Sequence, residues 1–186
     1  MTLFEYLAVS FSVVLSFAVV RILNGISDVF ARPRVYWIHA AWVIHKLLFL
    51  AYTWWNIWSY RQVSWNFLSF LAVLASPSLI YYQASTLVPA EPRLVASWRD
   101  HFYAVRQQFF GAEIAWALLI LFNTSFIINV AVLHSTRIPQ SIALLIAIVA
   151  ISTNRPAVHG ALAWLTLLLW PLRTLILFQP GSLVPN

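Results

Sequence analysis

From Trp65 to Leu87 the chain passes through an apolar run without a single Asp, Glu, Lys or Arg. Other stretches come close to it. Val35 to Tyr60 carries only Lys46, Gly111 to Leu133 only Glu113, and Ala157 to Phe178 only Arg173. A helix of about 20 largely apolar residues crosses the ~30 Å hydrocarbon layer of a bilayer. Inside lipid only helices and closed barrels satisfy their own backbone hydrogen bonds. These runs lack the apolar–polar alternation of barrel strands, so the sequence predicts an all-α, polytopic transmembrane helical bundle. Composition points the same way: 62% of the residues are hydrophobic and 9% charged, where soluble domains carry about 25% charged residues. A soluble core could not bury such an excess.

Six spans are predicted, over about 3–30, 35–60, 65–87, 111–133, 138–152 and 157–178, within one transmembrane domain 1–186. The fifth is short. Its ~15 residues rise only ~23 Å, so it is either a thin crossing or a re-entrant segment. Residues 93–110 set Arg99, Asp100, Arg106 and Gln107 against Leu94, Trp98, Phe102, Tyr103 and Phe109, the pattern of an interfacial amphipathic helix. The N-terminus has no basic region ahead of its apolar run, so the first span is expected to be retained and not cleaved. Gln179 onward reads as a tail.

With six crossings both termini share a side. Arg32, Arg34, Arg93, Arg99, Arg106 and Arg155 then fall on one side, and Arg61 and Arg137 on the other. The positive-inside rule places the larger set in the cytoplasm and the termini in the periplasm. Glu5 and Glu113, and Pro77 and Pro171, recur at comparable places in the first and last three helices, as a 3+3 inverted repeat would leave them.

The chemistry available is narrow. Without cysteine there are no disulfides, thiolate metal sites or thiol nucleophiles. Four glycines form no phosphate loop, and no paired carboxylates or Ser-His-Asp order can be read, so no enzyme activity, catalytic residue or metal site is expected. The net charge of +6 is attributed to loops beside anionic lipid and not to nucleic acid.

Polar residues within the spans are more informative. His39, Trp42, Lys46, Phe49, Thr53 and Asn56 recur three or four apart and share one helix face. Asn66, Ser69, Ser76 and Gln83 do the same on the third span, and Glu113, Trp116 and Asn123 on the fourth. Serines, threonines and amides at such positions are usually interhelical glue. A charge at mid-span is costlier, about 3 kcal/mol on insertion scales, so Arg21, Lys46 and Glu113 need partners or water. A transport or ligand cluster of Arg21, Asn24, His39, Trp42, Lys46 and Glu113 is therefore expected in the cytoplasmic half. Its bland equivalent is a neutralised pair that only fixes packing.

Two cofactors have partial counterparts in these residues. Lys46, the sole lysine, sits among Trp42, Phe49, Tyr52, Trp54 and Trp55 as a retinal-bearing lysine would, but rhodopsins have seven helices with the lysine on the last. A bis-histidine haem would need His39 with His101 or His159 at one depth. No cofactor is expected.

The runs Val35-Tyr36-Trp37-Ile38-His39, Trp54-Trp55, Trp65-Asn66-Phe67-Leu68, Asp100-His101-Phe102-Tyr103 and Phe109-Phe110-Gly111 resemble the layout of small, roughly six-helix bacterial membrane proteins without an assigned activity. That resemblance covers most of the chain through Gly111 and implies a bacterial inner-membrane location. The resulting expectation is a small channel or transporter-like protein, homo-oligomeric or joined to a membrane-complex partner. The alternatives are an accessory or structural subunit of a larger complex, and a haem- or pigment-binding protein.

Overall fold

The computed structural model describes residues 2–31, 33–131, 134 and 137–177, the last six of these by backbone only. They form six helices, with no strand among the described residues: α1 Leu3–Val29, α2 Trp37–Asn56, α3 Phe67–Leu87, α4 Trp98–Phe122, α5 Arg137–Ser152 and α6 Pro156–Leu177. Three segments, Leu3–Val29, Phe67–Leu94 and Trp98–Ile127, are long and apolar enough to cross a membrane. Arg137–Ser152 and Pro156–Pro171 are apolar but shorter.

The helix starts are written in local sequence. At α1, the Glu5 amide donates to Thr2 Oγ1 at 3.2 Å while Glu5 Oε2 accepts from the Thr2 amide at 2.7 Å. At α3, Asn66 and Ser69 make the same exchange at 2.9 and 3.0 Å. Such reciprocal caps satisfy amides that have no partner within the helix. Ser97 caps α4 by accepting from the Asp100 amide at 3.2 Å. From there α4 runs unbroken past Gly111, merging the expected interfacial helix and fourth span, because one glycine costs a helix only ~1 kcal/mol. A π turn over Asn123–Ile127 ends it, followed by Asn129 at φ 61°. Leu133, the expected end of that span, and Phe178 lie outside the described residues.

The helices pack in the ring α1–α3–α4–α5–α6–α2 and back to α1, and α2 also leans inward against α3 and α4. On α1 the buried stripe Leu7, Phe11, Leu15, Ala18, Ile22, Gly25 and Val29 follows steps of three and four. The opposite face leaves Val9, Val13, Phe17, Val20 and Leu23 more than half exposed. A helix apolar on both faces suits lipid, or another apolar surface, against its outer one. At Gly160 an added Cβ would lie 3.1 Å from the Trp37 ring, so glycine there lets α6 approach the start of α2.

Two arginines close helix ends across the bundle. Arg137 donates to the Leu121 and Val130 carbonyls at 3.2 and 2.8 Å, and to the Thr124 and Ser125 hydroxyls at 2.5 and 3.0 Å. Arg106 is buried and donates to the Thr153 carbonyl at 2.5 Å, just past α5. The sequence pattern put Arg106 on a solvated face. The structure turns it inward because carbonyls at a helix end attract a cation.

Candidate functional site

The inner face of α2 carries His39, Trp42, Lys46, Phe49 and Thr53, all buried, in the register their spacing predicts. Lys46 lies at mid-helix and is wholly enclosed. Its Nζ donates to Gln83 Oε1 of α3 at 2.8 Å and forms an ion pair with Glu113 Oε1 of α4. The Phe49 ring lies 4.5 Å from Nζ and the Phe109 ring 5.4 Å, so π faces take up the remaining side of the cation. One lysine thereby ties three helices together. Glu113 retains 13% of its side-chain exposure, whereas Lys46 has none.

Gln83 is the partner that sequence reasoning left among the packing residues. Its place on the Asn66–Ser69–Ser76–Gln83 stripe was the available signal. The buried amide oxygen adds a second acceptor from a third helix to an ammonium that has three donors to satisfy.

Polar groups continue along the bundle on both sides of this pair. Below it the Trp116 indole donates to Ser76 Oγ at 2.9 Å and meets Phe49 edge-on at 4.6 Å. Next come the Thr53 hydroxyl, buried without a hydrogen-bond partner, and Asn123, whose amide donates to the Ala72 carbonyl at 3.3 Å. Tyr60 neighbours Asn123. Toward the other end, Gln83 Nε2 lacks a partner, and neither nitrogen of buried His39 makes a well-formed hydrogen bond, although the Leu87 backbone is close by. His101 meets the Thr86 carbonyl at 3.0 Å. From His101 to Asn123 along α4 the rise is ~33 Å at 1.5 Å per residue, about the thickness of a bilayer core.

The remaining expected site residues divide. Trp42 stays near Lys46, its ring edge-on to Phe110 at 5.0 Å and Phe109 at 5.8 Å. His39 lies two turns from Lys46, stacked on Trp98 at 4.9 Å. Arg21 and Asn24 are elsewhere. They line a cavity of about 300 Å³ on the outer side of α1 and α3, with Tyr81, Pro89 and Pro92. Because α3 stands between α1 and α4, Arg21 and Asn24 are not brought to Glu113.

Three of the five histidines gather around Phe102: His39 at 6.2 Å and His159 at 5.2 Å between ring centroids, with His101 edge-on to His39 at 5.7 Å. Trp98 packs against both His39 and His101, at 4.9 and 5.5 Å between centroids. Among the described residues, no three metal-ligating side chains converge. No protein-family model, curated protein or solved structure matches this chain.

Proposed function

We propose that the chain is a six-crossing protein of a bacterial inner membrane that works as a small channel or transporter-like bundle, with the Lys46–Glu113 pair as its proton-exchanging site. The observation that carries this reading is the file of polar groups from His101 to Asn123, with the Lys46–Glu113 ion pair at its middle. Buried charges within spans are costly and mark ion or proton paths more often than packing alone requires. The His39 ring, the Gln83 amide nitrogen and the Thr53 hydroxyl offer polar atoms on either side of the pair that make no well-formed hydrogen bond of their own. In such a site Glu113 takes up a proton and loosens its hold on Lys46, and release to the other side restores the pair.

Self-association belongs to the same proposal, since a bundle this small closes tightly around its own polar file. The arginine distribution supports termini on the periplasmic side. The full enclosure of Lys46 favours one rival, an accessory subunit in which the pair only locks three helices together.

Proteoliposomes with an internal pH dye separate the two. Under an imposed proton gradient, flux is expected in the parent protein and its loss in Glu113→Gln and Lys46→Met, with assembly checked by gel filtration. Unchanged flux in both variants refutes the transport reading. Absence of flux in the parent, with a stoichiometric partner retained on gentle purification, establishes the rival.

A further inference from the structure

The cavity beside α1 has a chemistry distinct from the Lys46 site. Its floor is set by Gly25, where an added Cβ would lie 2.3 Å from Val88 Cγ1 and 3.3 Å from Pro92, so the 88–92 segment seats directly on the helix. Its walls are Arg21, Asn24 and Tyr81, continued by Phe17 and Val20, and it opens outward. The Tyr81 hydroxyl faces the Arg21 guanidinium. No carboxylate among the described residues pairs with Arg21; Asp28, two turns further along the helix, lies 3.9 Å from Arg34.

Depth decides what such a site would meet. The 27 residues of α1 rise ~40 Å, some 10 Å more than a hydrocarbon core. With that core centred on α1 its edge falls about ten residues past the middle of the helix, so Asn24 lies just inside the boundary and the long Arg21 side chain reaches up to it. Below them, Phe17 and Val20 are exposed on the lipid-facing surface. A cation, an amide and a phenol at the headgroup boundary, above an apolar wall, complement a phosphate that carries acyl chains.

We propose that this groove binds the phosphate of an anionic phospholipid, with Arg21, Asn24 and Tyr81 on the headgroup and Phe17 and Val20 against an acyl chain. The inference needs the chain to lie in a bilayer but does not depend on transport. Its test is native mass spectrometry of protein released from phosphatidylcholine nanodiscs carrying a minority of phosphatidylglycerol. The parent is expected to retain one phosphatidylglycerol in preference to phosphatidylcholine. Arg21→Met with Asn24→Ala should lower that retention at least about five-fold, the worth of one basic side chain at a membrane surface, while Arg21→Lys keeps most of it. Inorganic phosphate should not displace the lipid. Unchanged retention in the Met variant, equal retention of phosphatidylcholine, or displacement by free phosphate overturns the assignment. Gel filtration of Arg21→Lys and Arg21→Met side by side separates loss of the site from loss of the fold.

Discussion

Removing either partner of the Lys46–Glu113 pair should cost more stability than removing both. In Glu113→Leu the ammonium stays enclosed with only Gln83 and two aromatic faces for company. In Lys46→Met the carboxylate is left between helices with 13% exposure. Breaking a buried pair from one side costs about 3–5 kcal/mol. Here the lower end applies, because the unfolded chain also holds these charges in or near lipid. We expect about 3 kcal/mol for each single change. Lys46→Met with Glu113→Leu leaves no charge behind and fills the volume with apolar atoms, a replacement that is often neutral or stabilising. The double variant should then be more stable than either single one, with a coupling of several kcal/mol against the 0.5–3 kcal/mol common between neighbours. Reversible unfolding by SDS in mixed micelles, followed by tryptophan fluorescence, measures all four corners of the cycle. Costs that simply add would refute the idea that the pair is one buried unit.

Three further outcomes are expected. Arg137→Met should lose about 3 kcal/mol in the same unfolding assay, since four acceptors around the end of α4 lose their donor, and Arg137→Lys should recover only part of it. The glycines should respond in opposite directions. Gly111→Ala meets nothing nearer than Ile151 Cδ1 at 3.9 Å and should stabilise by about 0.5–1 kcal/mol, whereas Gly25→Ala drives a methyl into Val88 and should cost about 1–3 kcal/mol. The absence of cysteine allows single thiols to report topology without background. If six helices cross, Glu91→Cys and Asn154→Cys label with an impermeant maleimide from one side of the membrane and Val63→Cys from the other; labelling of Glu91→Cys and Asn154→Cys from opposite sides would exclude the six-crossing order.

The paired glutamates show how local pattern and tertiary role diverge. Glu5 and Glu113 look equivalent as openers of two halves. In the structure Glu5 caps α1, and Glu113 lies deep inside α4, held by a lysine. The shift follows from Ser97, which starts α4 well before the apolar run does. A run of hydropathy marks where lipid can lie, but capping and backbone hydrogen bonds mark where a helix begins.

The inner face of α2 was legible from spacing alone, because the helical period is a property of consecutive residues and needs no partner to define it. Apolar runs and caps are local in the same sense, and they account for the starts of α1 and α3. The choice of partners is not local. Glu113 could have paired with Lys46 or with Arg21; the insertion of α3 between α1 and α4 gave it Lys46, with Gln83 alongside, and left Arg21 and Asn24 facing outward. Sequence by itself determined which residues are too costly to leave alone in lipid, since that cost depends only on the side chain and its surroundings of hydrocarbon. Only the packing order of the helices decided which of those residues compensate one another, because a charge is stabilised by whatever lies within a few ångströms and that is set by chain segments far apart in sequence.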